Sequence, residues 1–229
     1  MKIKLVVFDL DGTLVSSHET IYEATVDTLR RMNIPGKMPR KKFYGKIGLH
    51  FVDIFNDFNI NVPDFEQFIG IYKSVYFDFI HLSGVYNGVN EVITNLVSKG
   101  IKTSLLTTKA QEQAELILKH FDLYDKFDEV MGRRPGVAHK PSPEPLLKIC
   151  KYLKIDADET LIVGDSEMDI QCGKNTGAKT CAVTYGYRTK EELQKSEPDF
   201  MVDNITDIEY IVDRLDNDIR KGGTNGTQR

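Results

Sequence analysis

The sequence predicts an α/β protein in which a doubly wound parallel sheet carries an inserted all-helical domain. From about residue 86 onward, short apolar runs alternate with helical patterns, as in a parallel sheet flanked by helices. The apolar run near the N-terminus is expected to join the same sheet and complete a Rossmann-like core. Residues 16–82 interrupt this alternation, because they contain helical patterns and no convincing strand.

Four apolar runs are the predicted strands of the core. Each is short and is bounded by turn or polar residues, which is typical of parallel strands buried on both faces. The runs are residues 5–8, 103–106, 161–163 and 180–183.

Capping residues indicate where helices begin between these strands. Ser142 and Pro143 are predicted to be the N-cap and the first residue of one helix. Thr189 and Glu192 have the spacing of a capping box at the start of another.

The insertion after the first strand contains three helical patterns, separated by proline and glycine. We therefore predict a helical domain at residues 16–82, called the cap below, which covers the site as a lid. The core is then made of residues 1–15 and 83–221. Residues 222–229 are expected to be a disordered tail, because their glycines cannot hold a helix.

The bulk composition excludes several classes of protein. Hydrophobic residues make up 41% of the 229 residues and charged residues 28%, unlike a disordered chain. A net charge of −4 argues against a general nucleic-acid binder, which needs a basic face. The three cysteines lack metal-ligand spacing and are expected to be reduced. With no signal-peptide pattern and no membrane-spanning run, we expect a cytoplasmic protein.

Two carboxylates follow the first predicted strand, in the run Asp9-Leu10-Asp11-Gly12-Thr13. Open parallel sheets bind ligands beyond the carboxyl ends of their strands, so Asp9 is placed where chemistry occurs. Carboxylates two residues apart can share a metal and divide the roles of nucleophile and acid/base. Gly12 permits the sharp turn that this close approach needs. Taken alone, the run also fits a solvated acidic turn.

Candidate phosphate ligands occur in two later runs. Thr107 and Thr108 follow the strand at 103–106, where a hydroxyl can donate to a phosphoryl oxygen beside a helix N-terminus. Lys140 precedes a predicted helix start in a proline-rich run and offers a compact positive charge. An ordinary N-cap and a solvated lysine are the alternatives for each run by itself.

A fourth run places Asp165 directly after the strand at 161–163, at a strand end like that of Asp9. Asp169 lies one helical turn further on and can face the same site, with Ser166 between them in the chain. Magnesium prefers oxygen ligands and keeps several waters. Carboxylates of Asp9 and Asp165, a backbone carbonyl and waters would meet that demand, although Asp165 alone also fits an N-cap.

In order and placement, these runs resemble the signature of the haloacid dehalogenase-like hydrolase superfamily over nearly the whole chain. Its four motifs are matched by Asp9-Leu10-Asp11-Gly12-Thr13, Thr107, Lys140 and the run from Gly164 to Asp169. The cap resembles the helical cap of the family. Gly48-Leu49 and the run Lys-Pro-x-Pro-x-Pro-Leu resemble the phosphoglycolate phosphatase-like group.

The resemblance implies a magnesium-dependent phosphatase that forms an aspartyl-phosphate. Asp9 is then the nucleophile and Asp11 the acid/base. The implied metal ligands are Asp9, Asp11 and Asp165, the phosphate ligands are Thr107, Thr108 and Lys140, and the residues behind them are Asp169 and Ser166. A small phosphorylated metabolite is the expected partner, and the protein is expected to be a monomer or homodimer without a nucleic-acid or membrane partner.

Several alternatives remain open within this resemblance. Asp11 favours a phosphate ester, since dehalogenases and phosphonate hydrolases of the superfamily lack it, and a phosphoglycolate-like monoester is the expected substrate. A phosphosugar mutase or a pyrophosphatase would keep the same residues. A non-catalytic phosphate-binding module would be expected to have lost one of them. The sequence departs from the family pattern at Ser16-Ser17 and Thr108, where an acid before serine and an asparagine are usual.

Overall fold

The computed structural model describes residues 2–222, and the side chains of residues 2–216. Gly222 is the last residue of the final helix. The rest of the predicted tail lies outside the described residues.

The core is a six-stranded sheet in which every neighbouring pair of strands is parallel. Its strand order is β5-β4-β1-β6-β7-β8, so the first strand lies in the middle and chain connections run to both sides. A separate antiparallel pair, β2-β3, joins the core to the cap. The strands are β1 (Leu5–Phe8), β2 (Val15–Ser16), β3 (Gly84–Val85), β4 (Lys102–Ala110), β5 (Glu129–Arg133), β6 (Thr160–Gly164), β7 (Lys179–Val183) and β8 (Phe200–Val202).

Helices cover both faces of this sheet. Leu5 and Val7 of β1 contribute to one apolar cluster, whereas Val6 and Phe8 contribute to a second, larger one. This alternation is what a strand buried on both faces requires. The core helices are α5 (Val89–Ser98), α6 (Gln111–His120), α7 (Glu144–Leu153), α8 (Glu167–Thr176), α9 (Lys190–Lys195) and α10 (Asp207–Gly222), with short 3-10 helices at Tyr124–Lys126 and Ala157–Glu159. None of the described helices has the length and apolar character needed to cross a bilayer.

Between β2 and β3, the described elements are all helical. They are α1 (His18–Arg31), α2 (Arg40–Tyr44), α3 (Phe51–Asp57), α4 (Phe65–Val75) and a 3-10 helix at Tyr76–Leu82. Aromatic rings fill the space between α3 and α4, with the Phe68 ring 4.9 Å from that of Phe55 and 5.1 Å from that of Phe51. The predicted domain boundaries at 15/16 and 82/83 fall within the β2-β3 region, which we call the hinge (residues 15–17 and 83–85).

All four predicted strands are present, and the capping box of Thr189 and Glu192 is formed. Two local predictions are wrong. Pro143, not Ser142, is the N-cap of α7, and the Ser142 hydroxyl accepts a hydrogen bond from the backbone N–H of Glu144. The N-cap alternative for Thr107 also fails, because β4 continues past it and resumes pairing with β5 at Ala110.

Candidate active site

Neighbouring strand ends bring the predicted carboxylates together. Asp9 follows β1 and Asp165 follows β6, and these two strands are paired in register. Asp169 reaches the same point from the first turn of α8. Each of these three buried residues offers a carboxylate oxygen within 4.8 Å of the others. The parallel sheet therefore produces an acidic cluster from residues more than 150 positions apart.

Gly12 makes this close approach possible. Its backbone has φ +87°, a left-handed conformation that glycine adopts without steric strain. A Cβ atom at this position would lie 2.2 Å from an oxygen of Asp165. A larger residue would therefore displace a carboxylate of the cluster.

Lys140 is the cation at the centre of the site. Its side chain is 2% exposed, and its ammonium donates to Asp9 at 2.6 Å, to Asp169, and to the backbone carbonyl of Leu106 at 2.8 Å. Asp169 is fixed in turn, because its second oxygen accepts from the backbone N–H and the hydroxyl of Ser166. These contacts form the capping box at the start of α8.

Burial governs the electrostatics of the cluster. Loss of solvent raises the pKa of Asp9 to about 7, even though Lys140 lowers it. Burial, with Asp9 and Asp169 nearby, also raises the pKa of Asp165 well above its ordinary value. Burial lowers the pKa of Lys140, but the two carboxylates that it contacts outweigh this effect and raise it overall. The site therefore holds more negative charge than its lysine balances.

This excess charge is suited to a divalent cation. Three carboxylates face one ammonium, and among the described residues one oxygen of Asp9 and one of Asp165 accept no hydrogen bond. Both oxygens of Asp169 are already engaged. Hard oxygen ligands of this kind match the preference of magnesium. Asp9 and Asp165 are thus better placed than Asp169 to hold it.

The carboxylate of Asp11 lies apart from this cluster. One oxygen accepts a hydrogen bond from the Ser17 hydroxyl, and the other lies 3.2 Å from the ammonium of Lys109. That ammonium also lies 4.7 Å from the centre of the Tyr76 ring, in the cap. Asp11 is therefore oriented by one residue of the hinge and one of β4.

Two neighbouring cavities lie between core and cap. The inner one is lined by Asp9 and Asp165 of the acidic cluster together with the predicted phosphate ligands Thr107, Thr108 and Lys140. Its cap side is formed by Ile47 and Gly48. The outer one shares Asp11, Ile47, Gly48 and Thr108 with it. The cap lines that outer cavity largely with apolar residues such as Ile54, Phe65 and Ile69. Its polar and charged lining consists of Asp11, His50, Lys73, Thr108, Lys109, Gln113 and Arg133.

Some residues of the site were not singled out from the sequence. Lys109 lies in β4, two residues after Thr107, but nothing in its spacing indicated a contact with Asp11. Tyr187 belongs to the loop after β7, where its N–H donates to Asp165 at 2.7 Å and its hydroxyl accepts from the N–H of Ser17 at 2.8 Å. Only the fold brings this loop to the cluster, so no local pattern could have shown it.

Several known proteins are similar to this chain in sequence or in fold. A pyrophosphatase PpaX from Bacillus cereus is 36% identical over 91% of this chain and 95% of its own length. One from Halalkalibacterium halodurans is 34% identical over 93% and 98%. The crystal structure of a predicted phosphoglycolate phosphatase from Haemophilus somnus is 26% identical, with a TM-score of 0.80 over 92% of this chain and 98% of that one.

The family model that matches the chain is described as haloacid dehalogenase-like hydrolase and spans residues 6–183. The match begins at β1 and ends with β7, so it includes the cap and all four runs that form the site. This chain belongs to the haloacid dehalogenase-like hydrolase family, and its structural neighbours include phosphoglycolate phosphatase-like members.

Proposed function

We propose that this hydrolase is a magnesium-dependent phosphatase that transfers a phosphoryl group from a small metabolite to Asp9 and then to water. The observation that carries this proposal is the buried contact between Asp9 and Lys140, beside Asp165 at the neighbouring strand end. A nucleophilic carboxylate, a cation for the phosphoryl oxygens and a ligand set for magnesium thus occur in one cavity.

In the first step, an oxygen of Asp9 attacks phosphorus, and the bond between phosphorus and the leaving-group oxygen breaks. Asp11 donates a proton to that oxygen. In the second step, Asp11 takes a proton from water, which attacks the aspartyl-phosphate and releases inorganic phosphate. Asp9 and Asp11 end in their starting states, so the sum of both steps is hydrolysis.

The remaining residues bind and orient. Lys140 and the hydroxyls of Thr107 and Thr108 line the inner cavity and are placed to stabilise the equatorial phosphoryl oxygens. Asp9, Asp165 and the backbone carbonyl of Asp11 would hold magnesium, which when bound neutralises charge on the transferred group. Asp169 fixes Lys140, and Ser166 fixes Asp169.

The outer cavity favours a leaving group that carries its own negative charge. It is lined by Lys73, Lys109 and Arg133. Gln113 is buried there, and its amide nitrogen has no partner among the described residues. A buried donor without a partner favours a ligand with acceptor oxygens. Pyrophosphate meets this demand and agrees with the relatives named pyrophosphatase. Phosphoglycolate is the second candidate, because its leaving group carries a carboxylate.

The test compares kcat/KM for pyrophosphate, phosphoglycolate and phenyl phosphate, with magnesium and after chelation. We expect activity only with the metal, and preference for the two substrates with a charged leaving group. Each pyrophosphate should give two inorganic phosphates. A mutase would instead transfer the phosphoryl group to another substrate. Full activity after exhaustive chelation would contradict the metal role.

Lys109→Met sharpens this test. Both substrates should lose activity because Lys109 also contacts Asp11. The loss of kcat/KM should be about tenfold larger for pyrophosphate, because only this substrate has a charged leaving group that the Lys109 ammonium can contact. Lys102→Met is the matched control, since Lys102 pairs with Asp128 on the surface of β4. Equal losses on both substrates would show that the outer cavity does not select for charge.

A further inference from the structure

The cap contributes two uncharged residues, Ile47 and Gly48, to the lining of the inner cavity. Residues 45–49, called the cap loop below, connect α2 to α3, and Ile47 and Gly48 face the acidic cluster across that cavity. Gly48 has φ +98°, and a Cβ at this position would meet no atom within 4 Å. The glycine is therefore needed for the backbone conformation of the loop, not for lack of space.

One core side chain reaches this loop. Arg188, in the segment between β7 and α9, donates from Nη1 to the backbone carbonyl of Ile47 at 3.1 Å. Its Nε and Nη2 donate to the two carboxylate oxygens of Glu167, at 2.8 and 3.1 Å. The Arg188 side chain is only 5% exposed. A bidentate contact of this kind fixes the plane of the guanidinium and aims its remaining N–H groups.

Cap and core also share an apolar cluster, and the Lys109 ammonium of the core lies over the Tyr76 ring of the cap. Outside the hinge, the bond from Arg188 to Ile47 is the one hydrogen bond between cap and core among the residues whose side chains the structure describes. The basic residues near the cap loop are engaged within the cap: Arg40 pairs with Glu19 and Glu23, and Lys46 pairs with Asp57. Arg188 is therefore the group whose hydrogen bond holds the backbone of the cap loop against the core.

The residues around Arg188 connect it to the metal-ligand end of the core. Glu167 begins α8, two residues after Asp165. The preceding residue, Tyr187, donates to Asp165 and accepts from Ser17 of the hinge. A single short segment of the core thus contacts the acidic cluster, the hinge and the cap loop.

We propose that Arg188 is a positioning residue that holds the cap loop over the inner cavity through its hydrogen bond to Ile47. The inference rests on the proposed function only for the identity of the cavity. With this bond in place, Ile47 and Gly48 exclude water from the phosphoryl group; when the bond breaks, the cap loop is free to move away from the cavity for exchange of substrate and product.

The first test is hydrogen exchange, which needs no turnover. In Arg188→Gln, backbone amides of residues 45–50 should exchange at least about tenfold faster than in the unaltered protein, because a charge-assisted bond is lost. Arg134→Gln is the matched control, since Arg134 also contacts one glutamate and one backbone carbonyl, Val130, but lies away from the cap. Unchanged exchange of residues 45–50 in Arg188→Gln overturns the inference.

The second test is kinetic. Arg188→Gln should lower kcat/KM for pyrophosphate about tenfold, and Arg188→Lys should restore part of the loss because it keeps a charged donor. Glu167→Gln weakens the contact that orients the guanidinium of Arg188. This variant should show a smaller loss of kcat/KM and faster exchange at the same residues. If Arg188→Gln does not fold, the exchange rates of residues 45–50 in Arg188→Lys and Glu167→Gln test the positioning role instead.

Failure of this inference differs from failure of the proposed function. Inactive Asp9→Asn protein should keep the slow exchange of residues 45–50, since its cap contact is intact. Slow exchange in every Arg188 and Glu167 variant would reject the positioning role and leave the aspartyl-phosphate mechanism untouched.

Discussion

The core and the cap meet at the active site but are built on different principles. In the core, charged groups are buried and fix one another, as Lys140 does with Asp9 and Asp169. In the cap, aromatic rings in edge-to-face contact form the interior, and ion pairs lie at the surface. The reactive groups are therefore preorganised in the core, whereas the cap offers a backbone loop and part of the outer cavity. In the function proposed above, the core supplies the chemistry, and core and cap together form the outer cavity that selects the leaving group.

The largest expected effect comes from Asp9, on the core side of the comparison. Asp9→Asn should lower kcat by about 10⁴-fold or more, because an amide is no nucleophile. Circular dichroism should show an unchanged fold. Asp53→Asn, an exposed substitution in α3 of the cap, is the control and should keep full activity. Activity near that of the unaltered protein in Asp9→Asn would end the proposed mechanism.

A substitution in the interior of the cap should lower the stability of the protein and leave the catalytic groups of the core in place. Phe68 is fully buried among the rings of α3 and α4, so Phe68→Ala should lower the free energy of unfolding by about 3–5 kcal/mol. Val52→Ala, at a position 41% exposed in the same domain, should cost far less. Urea denaturation measures both. Magnesium binding by the core of folded Phe68→Ala protein should be retained, and its loss would show that the two regions are not separable.

Asp11 lies between the two regions and should give an intermediate effect. Asp11→Asn should lower kcat about a hundredfold with phenyl phosphate, the usual scale for loss of an acid/base group. With p-nitrophenyl phosphate the loss in the first step should be smaller, because that leaving group departs without a proton. Burst kinetics separates the two steps. Equal losses in the first step for both esters would argue against Asp11 as the acid.

The sequence was most informative about the core, for a physical reason. A parallel strand buried on both faces is a short apolar run, and chemistry collects at its carboxyl end. Asp9 and Asp165 could therefore be placed from β1 and β6 alone. The strands β5 and β8 were missed, because Glu129–Arg133 has polar ends and Phe200–Val202 is only three residues long.

The contacts between regions were beyond the reach of local patterns. Arg188 and Ile47 are 141 positions apart, and Lys109 and Tyr76 meet only because the hinge folds the cap over β4. The basic residues of the cap show the same limit. Arg40 and Lys46 pair with cap carboxylates, whereas His50 lines the outer cavity, and no spacing distinguishes them.

The smallest expected effect is on the pH dependence of stability, which the buried carboxylate of Asp9 changes. Burial raises the pKa of Asp9 from 3.8 to about 7 in the folded protein. Between these values the folded state binds more protons than the unfolded state, so this group makes the metal-free protein less stable as pH rises. The difference should reach at least about 1 kcal/mol between pH 5.5 and 8.

Thermal unfolding in chelator at both pH values measures this effect, as the difference between the unaltered protein and Asp9→Asn. Subtraction is needed because burial lowers the pKa of His18 and His50, which makes their contribution rise with pH, the opposite sign. Those terms are common to both proteins and cancel. Asp9→Asn should therefore gain stability relative to the unaltered protein as pH rises, and magnesium should reduce that gain by balancing the carboxylates. If the stability difference is the same at pH 5.5 and 8, Asp9 is ionised at both, and the core is less strained by its charges than its burial implies.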